Sequence, residues 1–255
     1  MTHPIIVSVP GMWKEQTELV LSVAEANQGA HLLAGSVLME TATRQGCAVH
    51  LAERDEALRG GYEVAGQGRL SPALLDAVGA HGSIAYLVLE DTGYDAACFA
   101  TRCARALLKA GGMAVRVESA GVAHSPEQWI RLSESDDAFD IYSLFVMLVG
   151  GDDRYYSCGM HNFGLPDAAV PSALGVEDGG ALLNFFNFYQ LVENPVLRDG
   201  ETFGADAGSS RHRLTRESYL DGYDPDEPLY NPHGLWSLRP AEAPAPRRRR
   251  WELWG

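Results

Sequence analysis

Apolar and polar positions recur along this chain with two periods, and the switches between them mark its elements. Residues 5–9 form a short apolar run of strand length, ended by Pro10-Gly11. Residues 15–27 change to a helical period: Leu19, Val23 and Ala26 share a face, glutamates occupy the first turn, and Gly29 follows as a stop. Residues 31–40 and 47–53 read as two strands around the polar turn 41–46. Residues 54–68 are charged and glycine-rich and support at most a broken helix. Ser71-Pro72 opens another helix, with serine as cap and proline at the first helical position. Residues 84–89 are a continuous apolar strand. Residues 95–109 give the clearest helix, with Ala96, Ala100, Cys103 and Leu107 on one face, Arg102, Arg105 and Lys109 on the other, and Gly111-Gly112 as its stop. Residues 113–119 alternate, Met113, Val115 and Val117 inward against Arg116 and Glu118 outward, and Ser125-Pro126-Glu127 starts a capped helix through Trp129 and Leu132.

Residues 133–140 are acidic and are expected to join two lobes. Residues 141–149 are the most apolar strand candidate, and Gly150-Gly151-Asp152-Asp153 a turn. Then comes Tyr155-Tyr156-Ser157-Cys158-Gly159-Met160-His161-Asn162-Phe163-Gly164-Leu165-Pro166-Asp167, densely functional, with Gly159 and Gly164 expected at positive φ. Residues 175–192 predict a helix whose polar stripe is only Asn184, Asn187 and Gln190, so most of its surface should be buried; Asn194-Pro195 ends it. From Arg198 the chain is polar and irregular, and residues 229–238 regain aromatics that pack back on the body. The elements sum to an α+β fold: mixed sheets covered by helices, two ferredoxin-like lobes (residues 1–134 and 135–239) sharing one core, and a flexible tail over residues 240–255.

Composition changes this picture in two respects. With 34 acidic against 20 basic residues the net charge is −14, which disfavours nucleic acid and anionic lipid as partners of the main body and favours basic ones. No run approaches the ~20 apolar residues of a membrane span, no leader-like segment opens the chain, and Cys47, Cys98, Cys103 and Cys158 lack a disulfide-framework spacing; a cytoplasmic protein with free thiols is expected. The four arginines at 247–250 suit RNA or an acidic surface, although a terminal charge run needs no partner.

Signatures of standard chemistry are missing. No phosphate loop, dinucleotide fingerprint, calcium loop, His-Glu-x-x-His or Gly-x-Ser-x-Gly occurs. Cys158 and His161 have the spacing of half a zinc site, but no second close pair exists, so neither metal nor cofactor is expected. Cys158, His161 and Asp167 are candidates for a nucleophilic set; the competing reading makes Cys158 a small buried apolar residue and His161 a hydrogen-bonded histidine. As binding residues, Tyr155, Tyr156, His161, Asn162, Asp167, Glu118 and His124 stand out.

The 155–167 stretch, together with residues 115–121 (Val-Arg-Val-Glu-Ser-Ala-Gly), 123–129 (Ala-His-Ser-Pro-Glu-Gln-Trp), 199–203 (Asp-Gly-Glu-Thr-Phe) and 231–236 (Asn-Pro-His-Gly-Leu-Trp), resembles the bacterial family called domain of unknown function 4261. The likeness extends to about Arg239 and excludes the tail. It implies a cytosolic bacterial protein without an assigned activity, from a group associated with toxin–immunity neighbourhoods. The expected function is therefore a protein-binding module, an immunity or regulatory protein masking a basic partner such as a toxin, with homo-oligomers left open. The alternative is an enzyme with a pocket around Cys158, His161 and Asp167.

Overall fold

A computed structural model describes residues 3–205, 208–218 and 224–241, and its architecture is α+β. The first half runs β1 (Ile5–Gly11), α1 (Gln16–Ala26), β2 (His31–Ala34), β3 (Val37–Glu40), β4 (Gly46–Glu53), α2 (Leu58–Gly66), α3 (Pro72–Gly79), β5 (Ser83–Leu89), α4 (Tyr94–Lys109), β6 (Val115–Val117), β7 (Val122–His124) and α5 (Pro126–Ser133). Its seven strands make one antiparallel sheet in the order β2-β3-β4-β5-β1-β6-β7. The four central strands, β4-β5-β1-β6, have the order of a ferredoxin-like unit: α1 and α4 lie on the two crossovers that connect strands one place apart.

Strand alternation sends the two faces of this sheet to different cores. Val7, Val9, Ala85 and Leu87 meet Leu19 and Val23 of α1 and Ala100, Cys103 and Leu107 of α4. Ser8 and Ile84 point the other way, towards α2 and α3, where Leu58, Tyr62, Leu75 and Val78 close a second cluster. Ser71 and Ser125 cap α3 and α5, each accepting a backbone N–H at 3.2 Å.

The second half runs α6 (Ala138–Phe145), β8 (Met147–Gly150), β9 (Arg154–Cys158), a short 3-10 turn (Met160–Phe163), β10 (Asp167–Pro171), α7 (Val176–Glu193), β11 (Thr202–Phe203), β12 (His212–Glu217) and β13 (Leu235–Pro240). These strands form a mixed sheet in the order β11-β12-β13-β10-β9-β8, where β10 and β13 are parallel and the other neighbours antiparallel. One helix, α7, covers it; Leu183 and Phe186 pack on Ala168, Val170, Leu214, Trp236 and Leu238. Its strand order is not that of the first sheet. Packed against α4 and α5, α6 places Ile141, Tyr142, Leu144 and Phe145 in the first core, together with Met160 and Phe163 from the 3-10 turn.

Several expectations are corrected. Residues 31–40 are not one strand but a hairpin, because Gly35 at φ 60° turns the chain between Ala34 and Val37. Residues 54–68 contain a genuine helix, α2, that tolerates Gly60-Gly61 because Leu58, Tyr62 and Ala65 anchor its inner face. Residues 141–149 are not a strand: Asp137 accepts the Phe139 N–H at 2.9 Å and starts α6, whose buried residues fall at helical spacing, and β8 begins only at Met147. Along α7 the polar stripe faces inward rather than out. Asn187 and Gln190 are buried, whereas Phe185 is 45% exposed. Tyr142 explains the inversion, donating to Asn184 Oδ1 at 3.0 Å and accepting from Asn187 Nδ2 at 3.3 Å. The polar stretch after Arg198 supplies β11 and β12. The flexible tail expected over residues 240–255 starts one residue too early, since Pro240 ends β13 and pairs with His212; residues beyond Ala241, with the arginines at 247–250, lie outside the described residues. Among those described, no helix is long and apolar enough to cross a membrane.

Candidate functional site

The 155–167 stretch leaves β9, turns through the 3-10 segment and enters β10. Gly159 (φ 121°) and Gly164 (φ 72°) adopt the left-handed conformations expected of them. At Gly159 the requirement is also steric, since a Cβ there would lie 2.0 Å from Phe145 O and 2.9 Å from Ala120 Cβ. The loop is pinned from both sides. Asn162 Oδ1 accepts from Ser119 Oγ at 2.7 Å, its Nδ2 donates to Gly159 O at 2.8 Å, and its carbonyl accepts the Gly93 N–H at 2.9 Å. One asparagine thus ties β9 to the first sheet and to the start of α4.

Asp167 is the centre of the loop and is fully buried. Ser157 Oγ and Met160 N donate to Oδ1 at 3.0 and 3.2 Å, and Asn231 Nδ2 donates to Oδ2 at 2.6 Å. Asn231 Nδ2 also reaches Leu165 O at 3.0 Å, and its Oδ1 accepts the His233 N–H at 2.8 Å. Burial pushes the Asp167 carboxyl up to about 7 against the pull of these donors. The carboxyl thereby organises the loop and locks the 231–234 turn onto it.

The remaining candidate residues fall into separate environments. Cys158 is buried, its thiol 3.9 Å from Leu229 O, and the four cysteines form no disulfide. His161 is 1% exposed; burial, reinforced by His3 and His233 nearby, lowers its pKa to about 4, so it is neutral near pH 7. Its ring centroid lies 6.4 Å from that of His3, and His3 in turn meets Tyr230 at 5.7 Å. Tyr155 packs under α7 on one face of the second sheet, and Tyr156, next in the strand, faces the other. Glu118 sits on the α2 side of the first sheet, where it accepts from Ser8 Oγ at 2.5 Å and pairs with Arg116 at 3.3 Å. His124 is buried against Trp129, with Nε2 3.0 Å from Leu144 O, and burial lowers it to about 4. Asn162 and Asp167 are therefore gathered in one clasp, whereas Glu118 and His124 stand on other walls of the fold.

An open cleft lies elsewhere. The β4–β5 ladder ends at Ala48 and Val88; beyond it Gly46 and Cys47 stay with β3, Leu89 stays with Ile5 of β1, and the chain leaves for α4 from Glu90. The fork between them is a cleft of about 490 Å³. Phe99, Ala96, Val88 and Leu89 line its apolar part, and Glu90, Asp91 and Asp95 are the exposed acids on its rim. Asp137, at the start of α6, belongs to the same neighbourhood: after burial and Cys98, it and Asp95 help push the Tyr94 hydroxyl up to about 12. Sequence pattern gives residues 90–94 no role beyond preceding the helix that it starts at Asp95. The available signal was three acids within six residues at a strand-to-helix junction.

Among the described residues no cluster of three or more His, Cys, Asp or Glu side chains is arranged to hold a metal ion. Comparison with family models, with curated proteins and with solved structures gave no match to this chain.

Proposed function

We propose that this chain works by binding another protein, a basic one, and that the cleft at the β4–β5 fork receives it. The observation that carries the reading is the pairing of an apolar floor with a rim of Glu90, Asp91 and Asp95 on a chain whose net charge is −14. A lysine or arginine side chain matches such a cleft, with its aliphatic stem on Phe99 and its charge at the rim. The clasp around Asp167 supports the same reading indirectly, because it holds the start of α4, and with it the acidic rim, through the Gly93–Asn162 hydrogen bond. The family resemblance supplies the finer form: an immunity or regulatory protein of the bacterial cytoplasm that masks a basic partner such as a toxin.

The test is capture of partners from the native host by the full chain, followed by association kinetics at low and high salt. Steering of a basic partner predicts an association rate about tenfold faster at low salt, since attraction is screened beyond ~10 Å at 0.1 M. The combined variant Glu90→Lys, Asp91→Lys, Asp95→Lys should abolish capture. A partner indifferent to both salt and this charge reversal would overturn the proposal.

A further inference from the structure

A second concavity, of about 270 Å³, lies where the Leu165-Pro166 turn, the end of α7 and β12–β13 meet. Gln190, Asn194 and Arg216 are the polar residues that line it, and Trp236 and Leu197 are among the apolar ones. We propose that it binds an α-amino-acid-type carboxylate, with the carboxylate on Arg216, the neighbouring N–H facing the end of α7, and an apolar side chain against Trp236 and Leu197.

Three features lead there. First, Arg216 is held in place without being neutralised. Its guanidinium carbon lies 4.9 Å from the Trp236 ring centroid and one nitrogen donates to His233 O, yet no ion pair to a carboxylate is formed among the described residues. Asp199 is occupied by the Arg216 backbone N–H at 2.7 Å. A guanidinium has five donors in a planar fork that matches a carboxylate, so several remain for a ligand. Second, the opposite wall is the C-terminus of α7, capped by Asn194 in the left-handed conformation. Gln190 O there accepts the Asn194 N–H at 3.1 Å, and the negative end of the helix dipole disfavours a second carboxylate and favours an N–H. Third, Gln190 is 3% exposed and donates to Pro166 O at 3.4 Å, which fixes the floor; the volume lies just below the range of drug-sized ligand sites and suits an amino acid rather than a nucleotide.

Both a free amino acid and the last residue of a polypeptide present this chemistry. Neither depends on the acidic cleft. Calorimetric titration of the full chain with leucine, N-acetyl-leucine and N-acetyl-leucinamide separates them. At least one acid should bind with a dissociation constant of about 1 mM or tighter. Leucine as the tighter ligand assigns the site to free amino acids, and N-acetyl-leucine to chain termini. The amide, lacking the carboxylate, should bind about tenfold more weakly, and Arg216→Gln should weaken the acid by a similar factor. Arg213→Gln, on the opposite face of β12, should change nothing. The proposal fails if neither acid binds at roughly 20 mM, some twentyfold above the expected constant. It fails equally if the amide matches the acid, or if Arg216→Gln binds like the parent chain.

Discussion

Substitution of Gly159 by alanine tests whether the loop between β9 and β10 is a fixed clasp. The added methyl meets two separate obstacles. At φ 121° the backbone occupies a region that side-chain-bearing residues rarely enter, a strain of about 1–3 kcal/mol. The methyl also falls 2.0 Å from Phe145 O and 2.9 Å from Ala120 Cβ. These atoms belong to the end of α6 and to the turn between β6 and β7, so relief requires main-chain movement, and overpacking of this kind costs about 1–3 kcal/mol more. The sum, about 2–6 kcal/mol, is a large part of the 5–15 kcal/mol typical of a whole domain. Gly164→Ala separates the two terms. Its φ is 72°, but the closest atom to a new Cβ is Thr92 Oγ1 at an ordinary 3.5 Å, so only the backbone penalty of about 1 kcal/mol applies. Urea midpoints of the two variants, compared at equal slope, give the difference directly. Equal losses, or a Gly159→Ala variant within about 0.5 kcal/mol of the parent, would refute the steric argument.

Two further outcomes follow from burial. Phe186→Ala should destabilise by about 3–5 kcal/mol in the same unfolding assay, because the ring is fully enclosed and meets Phe203 edge-on at 4.9 Å, whereas Phe185→Ala at a 45% exposed position should cost under ~1 kcal/mol; a reversed ranking would mean that α7 is rotated. The pH profile of stability should report Asp167. Its pKa rises from 3.8 to about 7 on folding, so its contribution is full below pH 3.8 and lost as pH climbs through 7, on the order of 4 kcal/mol. His124 and His161 fall from 6.5 to about 4, so theirs are full above pH 6.5 and lost as pH drops through 4, on the order of 3 kcal/mol each. Asp167→Asn removes the one term that favours acid, and the variant should lose more stability than the parent between pH 7 and about pH 4.5; matching losses would show that Asp167 does not titrate in this window.

Much of the first sheet was legible in the sequence because its signals are local. Ser71-Pro72 and Ser125-Pro126 announce α3 and α5 within two residues, and the apolar runs of β1 and β5 need no distant partner to be read. The second sheet was harder because its signals are tertiary. An apolar run such as residues 141–149 suits helix and strand equally; Asp137, four residues upstream, decides the matter by capping. β12, with its alternation of His212, Leu214 and polar neighbours, is a strand because β13 pairs along its length and β11 at its start. In the candidate site, the positive φ of Gly159 and Gly164 was readable from composition, whereas Asp167 and Asn162, singled out as binding residues, are fully buried in internal hydrogen bonds. Their partners Ser119 and Asn231, 43 and 64 residues away along the chain, were not readable. The acidic cleft was invisible as a cleft, since it exists only where β4 and β5 part.

The position of β13 between β10 and β12 has a consequence for synthesis. β8, β9 and β10 are neighbours in sequence and can pair as soon as they leave the ribosome, but the free side of β10 waits for a strand that lies beyond Asn231. In that interval Asp167, Ala168, Ala169 and Val170 present an open sheet margin whose one charged residue is Asp167. An exposed aspartate has a pKa of about 4, so before Asn231 arrives the Asp167 carboxyl is ionised near pH 7 and opposes pairing with another chain. An aspartate at this point therefore acts as a gatekeeper of the unfinished sheet before it becomes the anchor of the finished one.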